Sequence, residues 1–485
     1  MSLLFTPLQI GRMRLANRLA LTAMVTRLSG EDGHVNQAIL DRYVRFAKGE
    51  VGLIVLEAMA VHDAKSGPLL RIADDRFLPG LTELARQIHA TSHSKVVPQI
   101  IHFLKVSRSG WRQTVEMLTE AEIHAIVRQY AAAAYRARMA GMDGVELHMA
   151  HAYTLSSFLS KRNGRTDGYG KGLEGRLRLA SEVITAVRNS VGDDFAVGVR
   201  FLGDECIKGG YSTNEARAIA LRLARLGADY ISLSAGGKFE DHVPREGQPP
   251  YPYTGYSGDR CMPSHEFPDG INLYMADGVK RYLVEHGLQT PVLAAGKIAT
   301  QAMAEGILAE GRADLIGMAR GLLADPDLPK KWREGEAERV VRCIYCNVCK
   351  NLDENFRQVR CFLWPKDALH APEGGDWSVP AWIGGADLTA DVRPIGVRLG
   401  WKRAAAASGV MGYEIFRSED GANWERLWAG NMVGYTDQTA TAGATWHYMV
   451  QAYDGAGNHS ALSDVATVQM VLPDFALPEE GGACG

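Results

Sequence analysis

The chain has 485 residues, 46% hydrophobic and 22% charged, a composition that excludes disordered and collagen-like classes. With 53 basic and 56 acidic residues the formal charge is −3, so no basic excess points to nucleic acid. No run approaches the roughly 18 consecutive apolar residues of a membrane span, and MSLLFTPLQIGRMRLANR lacks the pattern of a secretory leader, so the expectation is a cytoplasmic protein.

The length predicts two or three domains. Eight short apolar runs recur in order: NRLALTA (17–23), GLIVLE (52–57), VVPQII (96–101), GVELH (144–148), AVGVR (196–200), YISLS (230–234), PVLAAG (291–296) and DLIGM (314–318). Apolar on successive residues, they read as parallel strands buried on both faces. Between them lie stretches with apolar residues at three- and four-residue steps, such as EAEIHAIVRQYAAAAYRARMAG (120–141) and EARAIALRLARLG (215–227). Eight strands alternating with helices predict an α/β fold, a (β/α)8 TIM barrel over 1–340, with a doubly wound open sheet as the competitor. Such barrels place chemistry at the C-terminal ends of the strands. Those ends carry Ala23, Met24, Ala58, Gln99, His148, Arg200, Gly296, Lys297, Ala319 and Arg320.

Three groups at these ends could do chemistry. His148-Met-Ala-His151-Ala-Tyr153 follows the fourth strand; two imidazoles can polarise a carbonyl and a phenol can pass a proton. Gly296-Lys297 and Gly317-Met-Ala319-Arg320 end the last two strands, where barrels often bind phosphate. Gln99 can both donate to and accept from a ring edge, and Arg200 can hold negative charge beside it; for each of these two alone, an ordinary buried polar group is the simpler reading. No G-x-G-x-x-G follows a strand, so the electron source would be NAD(P)H bound transiently or an external donor or acceptor protein.

Seven cysteines are present, four of them in C343-IY-C346-NV-C349-KNLDENFRQVR-C361. Three thiolates at two-residue gaps and one further along suit a [4Fe–4S] cluster, with a four-thiolate structural zinc as the alternative. Cys206, Cys261 and Cys484 read as bystanders. This segment is assigned to 341–364. Residues 365–379, PKDALHAPEGGDWSV with its start rich in Pro, Gly and acid, read as a linker. From 380 to 472 short alternating runs such as VRLGW, YEIFRS and TWHYMVQAYD, divided by turn signals, predict an all-β sandwich. A tail, 473–485, follows.

Over about residues 1–365 the chain resembles the old yellow enzyme family, in its iron–sulfur branch, which holds 2,4-dienoyl-CoA reductase and trimethylamine dehydrogenase. The resemblance lies in LFTPLQIGRMRLANRLALTAM, VGLIVLEA, HMAHAYTLSSFLSKRNGRTDGYGKGLEGRLR and CIYCNVC. It implies an FMN-bearing barrel. Ala23, Met24 and Val25 would touch the flavin by backbone, Ala58 would lie near its O4 edge, and Gln99 and Arg200 would contact the ring. Gly296, Lys297, Ala319 and Arg320 would hold the phosphate. His148 and His151 would bind a substrate carbonyl, Tyr153 would give the proton, and Cys343, Cys346, Cys349 and Cys361 would hold the cluster. The chain departs from the branch in having no Cys near Met24 and no C-terminal dinucleotide-binding half. The loop 236–264 also differs; its Tyr251, Tyr253 and Tyr256 could form a lid, or the loop could be merely solvated. The C-terminal part resembles a fibronectin type III domain, with Trp401, Tyr413 and Tyr448 as core. The implied function is reduction of a C=C bond conjugated to a carbonyl or thioester, of an enone or enoyl-CoA-like molecule, in a homo-oligomer. Amine oxidation through the cluster and a non-catalytic electron-transfer subunit are the alternatives.

Overall fold

The computed structural model of the chain describes residues 2–64, 67–105, 113–237, 258–364, 368–373, 380–382, 384–406, 409–455 and 457–471. The three lid tyrosines, Cys484, the tail and most of the linker lie outside the described residues. Two compact units result, Met1–Phe362 with Asp367–Glu373, and Leu363–Lys366 with Gly374–Gly485.

A hairpin, β1 (Leu8–Ile10) and β2 (Met13–Leu15), opens the first unit. Eight parallel strands follow: β3 (Leu19–Leu21), β4 (Leu53–Ala60), β5 (Lys95–Ile101), β6 (Gly144–Met149), β7 (Ala196–Asp204), β8 (Tyr230–Ala235), β9 (Val292–Ala295) and β10 (Leu315–Met318). They close in the order β10-β3-β4-β5-β6-β7-β8-β9, a TIM barrel. Helices run between and after them: α1 (Gln37–Lys48), α2 (Leu78–Thr91), α3 (Glu120–Met139), α4 (Thr154–Leu159), α5 (Gly172–Val191), α6 (Thr213–Arg225), α7 (Leu273–Glu285), α8 (Gln301–Ala309), α9 (Arg320–Ala324), α10 (Leu328–Glu334) and α11 (Val348–Glu354). Local sequence supports them. Thr119 and Glu122 form a capping box at the start of α3, and Asn36 accepts the Ile39 N–H at the start of α1.

The hairpin closes the floor of the barrel. Ile10, Met13 and Leu15 are buried against Leu53, Val55, Val97, Tyr230, Leu293 and Leu315. Gly11, at a φ of +54°, turns the hairpin so closely over Asp229 that a Cβ there would stand 2.6 Å from its carboxylate. At the same end three aspartates repeat one device. Asp143, Asp229 and Asp314, each one residue before β6, β8 or β10, accept the N–H of Val96, Val197 or Val292 at the start of the preceding strand, at 2.8–2.9 Å.

At the opposite end the strands run further than their apolar cores suggest. β7 continues to Asp204, so Arg200 lies within the strand rather than at its tip, and β4 continues past Ala58 to Ala60. Both strands are kinked there, β4 between Leu56 and Ala58 and β7 between Leu202 and Asp204, which re-aims side chains at the rim.

The second unit is all-β. β11 (Thr389–Arg393), β12 (Gly396–Gly400) and β15 (Gly434–Asp437) form one sheet; β14 (Glu425–Gly430), β13 (Val410–Ser418), β16 (Thr445–Asp454) and β17 (Ala466–Gln469) form the other. Trp401, Tyr413 and Tyr448 are buried in one cluster with Val397, Ile415, Trp446 and Val450.

Candidate active site

One cavity of about 1280 Å³, its open mouth included, lies at the C-terminal end of the barrel strands. All thirteen residues proposed from sequence for catalysis and flavin contact line it: Ala23, Met24, Val25, Ala58, Gln99, His148, His151, Tyr153, Arg200, Gly296, Lys297, Ala319 and Arg320. Ala295 and Gly317 line it as well, so much of the wall carries little or no side chain, as a flat ring in a slot requires.

The polar wall is built by residues on neighbouring strands. Gln99 on β5 donates its amide N–H to Glu146 Oε1 on β6 at 2.7 Å, and Tyr230 on β8 donates to Glu146 Oε2 at 3.0 Å. That fixes the Gln99 amide, leaving its oxygen to accept. Burial pushes the Glu146 carboxyl up, with Arg200 opposing. Arg200 on β7 donates to Ser232 Oγ at 2.9 Å and Ser234 Oγ at 3.3 Å on β8.

His148 is the penultimate residue of β6, and its Nδ1 accepts the Ala150 N–H at 3.3 Å, which places the proton of the neutral ring on Nε2. The ring centroids of His148 and His151 stand 5.0 Å apart, and those of His148 and Tyr153 5.3 Å apart. His151 and Ala152 both take a φ of +58°, a strained turn that swings the second imidazole back over the first. His151 Nε2 meets Ser234 Oγ at 2.7 Å and Cys261 Sγ at 3.2 Å. Burial, His148 and Arg200 hold His151 well below its ordinary pKa, so the ring is neutral.

The two basic residues at the last strand ends turn toward the loop after β8. Lys297 Nζ donates to the carbonyls of Ser264, His265 and Phe267. Arg320 donates to Pro263 O at 2.7 Å and Asn347 Oδ1 at 2.6 Å. Between them lies the ring of Tyr345, with Lys297 Nζ 4.6 Å and the Arg320 guanidinium 4.9 Å from its centroid. Tyr345 stands between Cys343 and Cys346 and also lines the cavity, so the cysteine segment reaches the barrel mouth.

Cys343, Cys346 and Cys349 lie within electrostatic reach of one another at the start of α11. Burial pushes the Cys343 thiol up and the Cys349 thiol to about 12, with Arg320 opposing both. Cys361 lies within electrostatic reach of Arg42. Among the described residues no group of three or more His, Cys, Asp or Glu side chains is arrayed to hold a metal ion. The thiols are thus of the right kind for a cluster, while their arrangement does not by itself assemble one.

Sequence reasoning missed Glu146, Ser232, Ser234, Cys261 and Tyr345. The first three left a faint signal: each is a polar residue flanked on both sides by apolar ones inside a strand. Cys261 and Tyr345 left none.

A family model described as NADH:flavin oxidoreductase / NADH oxidase matches residues 3–116, 105–259 and 266–339. The chain is 34% identical over 366 residues to an NADH oxidase of Thermoanaerobacter brockii, covering 71% of this chain and 53% of that protein. It is 27% identical over 398 residues to a cinnamate reductase of Clostridium sporogenes, covering 75% and 57%. Histamine dehydrogenase from Rhizobium sp. 4-9 superposes with a TM-score of 0.64 at 26% identity, over 75% of this chain and 52% of that one. The chain therefore spans a little over half the length of these relatives. No helix among the described residues is long and apolar enough to cross a membrane.

Proposed function

Because the chain belongs to the NADH:flavin oxidoreductase / NADH oxidase family, we propose that its barrel mouth holds FMN and that it reduces a C=C bond conjugated to a carbonyl or thioester. The observation that carries this reading is the gathering of His148, His151 and Tyr153 in the same cavity as Gln99 and Arg200. FMN, when bound, supplies hydride to the β-carbon of the substrate. The chain does the rest. His148, with its proton on Nε2, donates to the carbonyl oxygen; His151, oriented by Ser234, stands beside it as the second imidazole; Tyr153 delivers a proton to the α-carbon. The Gln99 oxygen accepts from the ring edge of the flavin, and Arg200, held by two serines, offsets negative charge there. Ala23, Met24 and Val25 would contact the flavin by backbone, with Ala58 at its O4 edge. Gly296, Lys297, Ala319 and Arg320 would meet its phosphate, and NAD(P)H is the proposed transient donor.

The likeness to histamine dehydrogenase favours amine oxidation as a second reading. The charge of the cavity favours the first. Among its described lining residues Arg27 pairs with the one carboxylate, Asp353, at 2.7 Å, and Lys297 and Arg320 would meet the flavin phosphate, which leaves Arg200 as the cation at the ring end. Such a site welcomes an enolate oxygen over an ammonium group. Cys343, Cys346, Cys349 and Cys361 are proposed cluster ligands, supported by their spacing. The second unit is proposed to be a fibronectin type III-like docking module, supported by its three-plus-four strand order.

Anaerobic titration tests the reading. The flavin of the reduced protein should be reoxidised by an enone or enoyl-CoA, seen in its absorbance, and not by a saturated aldehyde, and an amine should fail to bleach the oxidised flavin. His148→Ala with His151→Asn should keep the flavin and lower kcat/KM for the enone at least a hundredfold. Unchanged kinetics in that variant would refute the carbonyl-binding role.

A further inference from the structure

Cys261, which the sequence offers only as a bystander, lines the substrate cavity half-buried. Its sulfur stands 3.2 Å from Nε2 of His151, the geometry of a nucleophile beside its base. The loop that carries it is held on both flanks. On one side the Asp259 carboxylate meets the Lys350 ammonium at 3.0 Å in a buried pair, and the Arg260 carbonyl accepts from Asn272 at 2.9 Å. On the other, Met262 O accepts from Asn347 at 2.9 Å and Pro263 O from Arg320 at 2.7 Å. The thiol is thus fixed over His151 by four neighbours in sequence, each with its own partner.

We propose that Cys261 is a nucleophilic thiol of this cavity, with His151 as its base, and that it adds covalently to electron-poor alkenes that enter. The class of ligand rests on the function proposed above; the Cys–His pair does not. His151 can take the thiol proton because its ring is neutral, and the imidazolium that burial, His148 and Arg200 disfavour forms only beside the thiolate 3.2 Å away, whose charge offsets that cost. The charge that forms on sulfur also has a counter-charge in the same network, since Arg200 donates to Ser234, the hydroxyl that His151 contacts. In the step, His151 Nε2 takes the thiol proton and the sulfur pair forms a C–S bond to the β-carbon. The C=C pair moves to the carbonyl oxygen, and the α-carbon then takes the proton back from the imidazolium. The product is a thioether, with no net oxidation or reduction, so the step needs neither reduced flavin nor NAD(P)H. It competes with hydride transfer for the same carbon, and it would make the protein self-limiting toward its most electrophilic ligands.

The test uses the full chain with oxidised flavin, no reductant, and N-ethylmaleimide as the probe. Adduct formation on the Cys261 peptide is followed by mass spectrometry, with the same peptide in the urea-unfolded chain at the same pH as reference. Native Cys261 should react at least tenfold faster than the unfolded reference. His151→Asn, a residue that tolerates the left-handed backbone of this position, should remove that acceleration, and Cys261→Ser should abolish the adduct at this peptide. A native rate equal to or below the unfolded one, or an acceleration that survives His151→Asn, overturns the proposal. NADPH-dependent reduction of the maleimide C=C is measured alongside. Loss of that reduction with labelling intact counts against the proposed function alone; reduction without accelerated labelling counts against the thiol alone.

Discussion

Glu57 is a buried carboxyl on the kinked part of β4, immediately before Ala58 at the barrel mouth. Its backbone N–H donates to the Tyr43 hydroxyl at 2.7 Å, and that hydroxyl stands 3.2 Å from Oε2. Burial pushes its pKa to about 7, with Thr26 and Arg42 opposing. A carboxyl raised above its unfolded value favours folding while it is protonated in both states. Its contribution is therefore complete below about pH 4.5 and is lost as pH climbs to about 7, a change of at most about 3 kcal/mol. Glu57→Gln keeps an acceptor for Tyr43 and removes the titration. Its urea midpoint should exceed that of the parent at pH 8 and match it at pH 4; equal gains at both would contradict this. The site residues that the sequence shows, His148 and Tyr153 among them, are visible because reactive types sit beside a strand end. Glu146 and Ser234 are not, because their meaning lies in Gln99, Arg200 and His151, partners 34 to 83 residues away.

The barrel strands are the elements most legible in the chain. Parallel strands buried on both faces need unbroken apolar runs, and each of the eight runs overlaps one strand. β1 and β2 escape because three residues are too few to show a period, yet they close the barrel floor. The aspartates before β6, β8 and β10 do for the strand ladder what a cap does for a helix. Each carboxylate takes an N–H at the start of a strand, and each pairs with a basic side chain: Lys95, Arg188 or Lys280. Asp229→Ala should cost about 2–3 kcal/mol, the range for a hydrogen bond to a charged group plus the stranded guanidinium. Chemical denaturation reads this, and the flavin spectrum of the folded variant should not change, because the floor is remote from the mouth. A loss under about 0.5 kcal/mol, the size of an ordinary surface change, would show the clamp to be ornamental.

For the whole molecule, the cysteine segment is the part whose meaning depends most on what it binds. If the four thiolates hold a cluster, anaerobically prepared protein should carry iron and acid-labile sulfide together with FMN. Cys346→Ala should then lose most of the iron and keep the flavin, because the proposed flavin contacts all belong to the barrel. Iron content unchanged by that variant would remove Cys346 from the ligand set. In the stretch 365–379, read from its composition as a linker, Arg42 and Arg45 of α1 donate to the carbonyls of Leu369, Ala371 and Pro372. The buried ion pair of Lys350 with Asp259, 91 residues apart, has a consequence for descent. A relative that exchanged only one of the two segments would strand an ammonium or a carboxylate in the interior, at a cost of several kcal/mol. The loop after β8 and the cysteine segment should therefore be inherited as a linked pair, and a chimera that transplants both should fold where either graft alone fails.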